Sequence, residues 1–116
     1  MLRTFCISKI NRVSVTKIDL HYSGSIGVDK ALLKASGILP SELVHVFNVN
    51  NGARFETYVI KEKEKSGTIA LYGPASRLGH VGDILIIIAY GQVDEKKATA
   101  FKPKVVNVNK KNQIII

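Results

Sequence analysis

Short strand-like segments separated by turn residues run through most of this chain, and they limit the folds that it can adopt. Alternating apolar and polar positions with many β-branched side chains are typical of strands. The segments with this character are residues 3–10, 12–19, 43–49, 54–61, 68–71, 84–90 and 105–108. The dipeptide Asn51-Gly52 is a strong hairpin signal between two of them. Residues 43–49 are apolar on both faces, so we expect a fully buried strand there.

Helices are few and short in this pattern. The clearest one covers residues 28–37, because Asp29 suits the N-cap and Gly37 can end the helix in a left-handed conformation. Pro74 suits the first position of a second short helix, and residues 94–100 can form a helical turn. Many short strands with small helices predict a mainly-β protein, a compact β-barrel in a single domain over residues 1–116.

Composition excludes several other classes of protein. The longest apolar run, residues 84–90, is the length of a strand and too short to span a membrane. The N-terminus lacks a signal-peptide pattern, so we expect a cytoplasmic location by default. Cys6 is the only cysteine and the three histidines are scattered, so we expect neither an internal disulfide nor a metal site.

The net charge of +8 raises nucleic-acid binding as a hypothesis. Residues 61–65 alternate in sign, however, and the lysines towards the C-terminus have few aromatic residues between them that could stack on bases. We therefore interpret most of the charged residues as surface residues that keep the protein soluble. Their positive field also attracts a small anionic substrate. A basic barrel that binds nucleic acid remains the alternative from a different functional class.

The Gly24-Ser25 bond has a specific chemical potential. A serine hydroxyl can attack the carbonyl carbon of the residue before it, which converts the amide into an ester. The attack needs an unusual backbone geometry, and glycine tolerates such a geometry because it has no Cβ. Elimination from the ester leaves dehydroalanine, and hydrolysis then gives a pyruvoyl group at a new chain start. A flexible Gly-Ser turn between strands is the alternative for the dipeptide taken alone.

The wider order of motifs resembles the aspartate 1-decarboxylase family, whose members are pyruvoyl-dependent enzymes that make β-alanine. The matching segments are Ser8-Lys9-Ile10-Asn11-Arg12, Asp19-Leu20-His21-Tyr22, Gly24-Ser25, Asn51-Gly52-Ala53-Arg54-Phe55, Thr57-Tyr58 and Gly82-Asp83-Ile84. The resemblance implies a double-psi β-barrel that assembles as a homotetramer, with active sites between neighbouring subunits. It also implies decarboxylation of L-aspartate in the synthesis of pantothenate and coenzyme A.

The same resemblance implies self-cleavage between Gly24 and Ser25. The products would be a β chain of residues 1–24 and an α chain of residues 25–116, and Ser25 would become the covalent pyruvoyl cofactor. Tyr22 would line the cleavage site. An uncleaved and poorly active family member is an alternative, and a requirement for a maturation factor is left open.

Arg54 and Tyr58 are the candidates for binding and protonating the substrate. A guanidinium group grips a carboxylate with two hydrogen bonds, and we expect Arg54 to hold the carboxylate that the substrate retains. Tyr58 is protonated at neutral pH, as a proton donor must be. The two residues share one strand face, with Cα atoms roughly 13 Å apart. An exposed strand arginine and a core or interface tyrosine are the alternatives.

The resemblance assigns the remaining candidates. It implies that Thr57 assists cleavage and contacts substrate, although an ideal strand points it away from Tyr58. Lys9 would supply a positive charge near the site, and Gly73, Pro74 and Ala75 match a loop whose backbone contacts substrate. The family usually has Asn-Gly-Ala-Ala-Ala here, whereas this chain has Tyr72-Gly73-Pro74-Ala75-Ser76. Because Tyr72 replaces a small amide, we expect altered and slower maturation.

Overall fold

A computed structural model describes residues 1–115 of the chain. Nine strands lie within these residues: β1 (Leu2–Ser14), β2 (Lys17–Asp19), β3 (Ser25–Asp29), β4 (Leu43–Asn48), β5 (Arg54–Glu62), β6 (Ile69–Tyr72), β7 (Ile84–Asp94), β8 (Lys104–Val108) and β9 (Ile114–Ile115). The helices are α1 (Lys30–Ser36) and two 3₁₀ helices, η1 (Gly73–Leu78) and η2 (Glu95–Ala100). No helix in this part of the chain has the length and apolar character that crossing a membrane requires.

The strands form one mixed sheet in the order β2-β6-β3-β5-β4-β7-β1-β8-β9. Only Val15 and Thr16 separate β1 from β2 in the chain, although β2 lies at the far edge of that order. The Val15 amide donates to the carbonyl of Asp83 at 2.9 Å, and the Thr16 amide donates to the carbonyl of Ile69 at 2.8 Å. This connection draws distant parts of the sheet together. The predicted mainly-β fold with short helices is confirmed, and the curled sheet is consistent with a barrel.

The core lies on the inner face of this sheet. Its largest fully buried side chains are aliphatic and come from β1, β3, β4, β6, β7 and α1, with the segments that follow β1 and α1: Ile10, Val13, Val15, Ile26, Val28, Leu32, Ile38, Val44, Ile69, Leu71, Leu85 and Ile87. β-branched residues predominate because they suit both the pleated backbone and close packing between strands.

The first predicted strand and the start of the second belong to one strand, β1, and the end of the second forms β2. β1 pairs with β7 along its whole length, with shifts of register between Cys6 and Ser8 and between Ile10 and Val13. Arg12 has a left-handed φ of 62° at the second shift. Bulges of this kind bend a strand and increase its twist. The break that the sequence predicts near residue 11 is therefore a bulge, and β1 continues through it.

The prediction of a fully buried strand over residues 43–49 was wrong. Only Val44, Val46 and Asn48 of β4 are buried, and Leu43 is 59% exposed. His45 is half-buried on the outer face, and its ring makes an edge-to-face contact with the Tyr90 ring. A barrel strand has one face outside the core, and here that face carries apolar side chains as well.

Local signals placed α1 correctly. The Asp29 carboxylate accepts the Ala31 amide at 2.8 Å as an N-cap, and Gly37 ends the helix with a φ of 77°. The same carboxylate also accepts the amides of Lys65 and Gly67, each at 2.8 Å. The helix begins at Lys30 because the residues before it belong to β3, a buried strand that the sequence pattern did not reveal.

Asn112 joins the end of β1 to the segment before β6. It is 2% exposed and has a left-handed φ of 59°. Its side-chain amide donates to the carbonyls of Ser14 at 2.9 Å and Gly67 at 2.8 Å, and its oxygen accepts the Ser14 amide at 2.8 Å. This residue lies between β8 and β9. The segment 105–108, the last strand that the sequence predicts, is therefore followed by a further strand, β9, which pairs with it.

We predict that Asn112→Gly lowers the free energy of unfolding by about 2–4 kcal/mol, because three partly buried backbone groups lose their partner. Glycine accepts the left-handed backbone at this position. The loss of unfolding free energy therefore reports the missing hydrogen bonds of the side-chain amide and not backbone strain. Urea unfolding followed by circular dichroism gives the value. Gln113→Gly, at an exposed neighbouring position, is the control, and an equal effect of the two variants would contradict the role of Asn112.

Candidate active site

The backbone before β3 makes a tight turn at the predicted cleavage bond. Gly24 has a left-handed φ of 67°, and its amide donates to the carbonyl of Tyr22 at 3.0 Å. Ser25 follows as the first residue of β3 and pairs with Tyr72 of β6. A residue with a Cβ is strained at this φ, so glycine is the residue that the turn requires.

A second glycine packs directly against this turn. Gly73 has a φ of 62°, and a Cβ added to it would lie 2.5 Å from the Gly24 nitrogen and 2.7 Å from the Tyr22 carbonyl oxygen. Gly73 is held in turn by Ser76, whose hydroxyl donates to the Gly73 carbonyl at 2.6 Å. The backbone at the start of η1 therefore packs directly against the backbone next to the predicted cleavage bond.

The Ser25 hydroxyl is fully buried and has no hydrogen-bond partner. It is the only buried side-chain nitrogen or oxygen in residues 1–115 that lacks one. Leaving a hydroxyl unpaired in the interior costs free energy, and a catalytic role is one of the explanations for such an exception. An unpaired hydroxyl next to a left-handed glycine is compatible with the predicted attack on the preceding carbonyl.

A cleft of about 250 Å³ opens beside this turn. The residues that line it come from the turn, β5 and η1: Gly24, Ser25, Phe55, Glu56, Thr57, Pro74, Ala75 and Leu78. Five of these were predicted site residues, so the structure brings Gly24, Ser25, Thr57, Pro74 and Ala75 together. Thr57 reaches the turn because β3 pairs alongside β5. Pro74 lies at the start of η1, as its missing N–H predicted.

Sequence reasoning missed three residues of the cleft. Phe55 shares the face of β5 that carries Thr57, so strand alternation offered a signal for it. Glu56 lies on the opposite face of β5 and Leu78 ends η1, and neither had a local signal.

Arg54 and Tyr58 lie on the other face of β5, as their spacing predicted. Tyr58 is 42% exposed, and the Arg54 guanidinium lies 4.1 Å from the centre of the Phe47 ring. The register that pairs Ile26 with Val59 puts Tyr58 in the strand position next to Ser25. Neither Arg54 nor Tyr58 lines the cleft within a single chain.

Lys9 is far from this site in the sheet. It pairs with Ile88 of β7 and Val105 of β8, and three strands separate β1 from β3 in the sheet order. Within one chain the structure therefore does not bring Lys9 to the cleft.

Tyr72 is buried beside the turn. Its hydroxyl donates to Glu62 Oε2 at 2.7 Å, and its ring lies 4.4 Å from the Tyr22 ring, centre to centre. Burial, followed by the hydrogen bond to the Glu62 carboxylate, raises the pKa of Tyr72 well above its ordinary value. The phenol therefore stays neutral across the physiological range. Tyr22 itself is half exposed and covers one side of the turn.

A polar cluster fixes the far end of η1. The Asn48 amide donates to the Leu78 carbonyl at 3.1 Å and to Asp83 Oδ2 at 3.0 Å. The hydrogen bond from Asn48, followed by that from the His80 amide, holds the pKa of Asp83 below its ordinary value. Within the described residues, no group of three His, Cys, Asp or Glu side chains could hold a metal ion.

The sequence of this chain matches known proteins over nearly its whole length. The family model described as "Aspartate decarboxylase" matches residues 1–115. The chain is 51% identical to the "Aspartate 1-decarboxylase" of Bacillus pumilus over 114 residues, which are 98% of this chain and 90% of the relative. It is 51% identical to that of Carboxydothermus hydrogenoformans over 99% of this chain and 91% of the relative. It is also 50% identical to that of Thermoanaerobacter pseudethanolicus over 97% of both.

We predict that Gly73→Ala destabilises the protein by about 1–3 kcal/mol more than Gly52→Ala does, because the new methyl group must push the Tyr22–Gly24 backbone away. Both glycines have left-handed φ values, 62° and 75°, so both substitutions carry backbone strain. A Cβ at Gly52 would meet nothing within 4 Å, which makes this variant the matched control. Urea unfolding measures both, and equal losses would mean that the close approach has no energetic cost.

Proposed function

Because the chain belongs to the aspartate decarboxylase family, we propose that it removes the α-carboxylate of L-aspartate to give β-alanine and carbon dioxide. In this proposal the enzyme matures by cutting itself between Gly24 and Ser25, and it uses the pyruvoyl group that Ser25 becomes. The product would feed pantothenate and coenzyme A synthesis. The observation that carries the proposal is the buried, unpartnered Ser25 hydroxyl directly after a left-handed glycine.

The proposed maturation balances with the residues present and water. The Ser25 hydroxyl adds to the Gly24 carbonyl carbon, and the amide C–N bond breaks to leave an ester and a free amine. Loss of the Ser25 Cα proton and cleavage of its Cβ–O bond release Gly24 as a carboxylate and leave dehydroalanine. Water then replaces the nitrogen, which departs as ammonia. The Gly24 turn and the Gly73 contact favour the first step because they fix the reacting backbone in one geometry.

The cleft suits a small substrate at this position. The pyruvoyl group supplies an electron sink for the bond that loses carbon dioxide. Thr57 and the backbone around Ala75 would contact the substrate, and the start of η1 presents amides that η1 itself does not use. Arg54 would bind the carboxylate that is retained, and Tyr58, next to Ser25 in the sheet, would return a proton to the substrate carbon.

Assembly of subunits would complete this site. Arg54 and Tyr58 lie on the outer face of the sheet and Lys9 lies on β1, so a single chain leaves the cleft without the positive charge that an aspartate carboxylate requires. The outer face also exposes large side chains, including Leu43 and Tyr90. Both facts support the proposal of a homotetramer whose active sites combine residues of neighbouring chains.

The two alternatives make different predictions. An uncleaved family member would keep the fold but show one intact chain and little decarboxylation. A nucleic-acid-binding barrel would bind DNA in a salt-dependent way without cleavage. Family membership favours an enzyme over the nucleic-acid-binding module.

We predict that purified protein converts into two pieces, one ending at Gly24 and a larger one whose start is blocked to Edman sequencing. Ser25→Ala should remain a single chain, because it lacks the nucleophile. Intact-mass spectrometry over time measures the conversion. Ser23→Ala, at an exposed hydroxyl two residues earlier, should cleave normally. Cleavage of Ser25→Ala at the same bond would exclude the serine mechanism.

We predict that mixed subunits restore activity that each variant lacks alone. Ser25→Ala cannot form the cofactor, and Lys9→Ala should cleave but decarboxylate poorly. If one chain supplies Ser25 and its neighbour supplies Lys9, random co-assembly of equal amounts gives about one quarter of wild-type activity. Co-expression with two affinity tags and a β-alanine assay measure this. Activity no higher than that of Lys9→Ala alone would contradict the shared site, as would a fully active monomer in analytical ultracentrifugation.

A further inference from the structure

The Glu62 carboxylate crosses β3 to reach Tyr72. Glu62 ends β5, Gly27 lies in β3, and Tyr72 ends β6 on the other side of β3. A Cβ added to Gly27 would lie 2.1 Å from Glu62 Oε2 and 2.9 Å from Glu62 Cδ. The carboxylate therefore occupies the space that a side chain at position 27 would fill. Nothing in the proposed decarboxylation uses this arrangement.

The partner of Glu62 is attached to the cleavage turn in three ways. Tyr72 pairs through its backbone with Ser25, its ring packs on the Tyr22 ring, and the next residue, Gly73, packs on Gly24. The Tyr72 ring is held at its far end by the hydrogen bond from its hydroxyl to Glu62 at 2.7 Å. Loss of that hydrogen bond frees the Tyr72 ring to rotate. The Tyr22 ring, which packs against it, then loses its fixed support.

The bond is of the strong kind. It joins a buried, neutral phenol to a carboxylate, and hydrogen bonds to a charged group contribute more than those between neutral groups. The phenol would also be left without a partner in the interior if the carboxylate moved away. An amide at position 72 would be too short to make this contact, so the bond depends on the tyrosine that this chain carries there.

We propose that Glu62 is a positioning residue for self-cleavage: through Tyr72 and Tyr22 it holds the Gly24–Ser25 turn in the geometry in which the Ser25 hydroxyl attacks. Gly27 contributes to the same arrangement, because the absence of a side chain there leaves room for the Glu62 carboxylate to reach Tyr72. This inference rests on the proposed self-cleavage. It assigns to Glu62 a role in maturation and none in contact with substrate.

The rate of cleavage of freshly made precursor tests the proposal. Intact-mass spectrometry should show that Glu62→Ala and Tyr72→Phe each cleave about tenfold more slowly than wild type, which corresponds to the loss of one charged hydrogen bond. Gly27→Ala should do the same, because its methyl group displaces the flexible end of Glu62 while the strand backbone is kept. Glu64→Ala is the control, since Glu64 is exposed and pairs with Lys34.

A double-mutant cycle separates positioning from general stability. Glu62→Ala should slow cleavage when Tyr72 is present and have no effect in the Tyr72→Asn background, where no phenol is there to be held. Gly27→Ala should likewise add nothing to Glu62→Ala. Equal slowing by Glu62→Ala in both backgrounds, or wild-type rates for both Glu62→Ala and Gly27→Ala, would overturn the proposal.

Amide hydrogen exchange in the uncleavable Ser25→Ala precursor distinguishes this inference from the proposed function. Adding Glu62→Ala should speed exchange of the Gly24 amide, which otherwise donates to Tyr22, and adding Glu64→Ala should not. If wild-type protein never cleaves, the proposed self-cleavage fails and this inference falls with it, whatever the exchange shows. If it cleaves but the Gly24 amide exchanges at the same rate in all three proteins, only the role of Glu62 is lost.

Discussion

The contact between two glycines, Gly24 and Gly73, is the constraint on which the site depends. Each has a left-handed backbone, and the space for a Cβ at Gly73 is taken by the Tyr22–Gly24 segment. Because the contact is between backbones, it positions the bond before Ser25 more rigidly than side chains alone would. The short helix η1, the buried tyrosine before it and the cleft beside it are all arranged around this point.

Local chemistry explains what the sequence could predict about the fold. Asp29 and Gly37 limit α1, Asn51-Gly52 lies in the turn between β4 and β5, and Pro74 favours the start of η1. Each of these signals needs only its own backbone angles and near neighbours. The outer face of β4, the continuity of β1 and the existence of β3 depend on how the sheet curls and pairs. Apolar runs carry no information about which face of a curled sheet meets the core, and therefore those predictions failed.

The site residues also divide into those that sequence motifs could predict and those that depend on the three-dimensional arrangement. The motif around Ser25 and the resemblance together predicted Gly24, Thr57, Pro74 and Ala75, and one chain brings them into a single cleft. The resemblance also predicted Lys9, Arg54 and Tyr58, which do not line the cleft of a single chain. In the proposed homotetramer their place relative to the cleft would depend on assembly, which no local pattern encodes. Glu62 and Gly27 had no signal at all, because their relation to Tyr72 exists only once β5, β3 and β6 are in register.

The three bonds of Asn112 also affect the time course of folding. They join residues up to 98 positions apart in the chain, so they form only after a large loop has been closed, and contacts of this kind form slowly. Helix α1 and the hairpin of β4 and β5 can form early from neighbouring residues. The strand that carries Ser25, β3, lies between β5 on one side and β6 on the other. In the proposed maturation, the Gly24–Ser25 bond would reach its reactive geometry only after β5 and β6 have paired with β3.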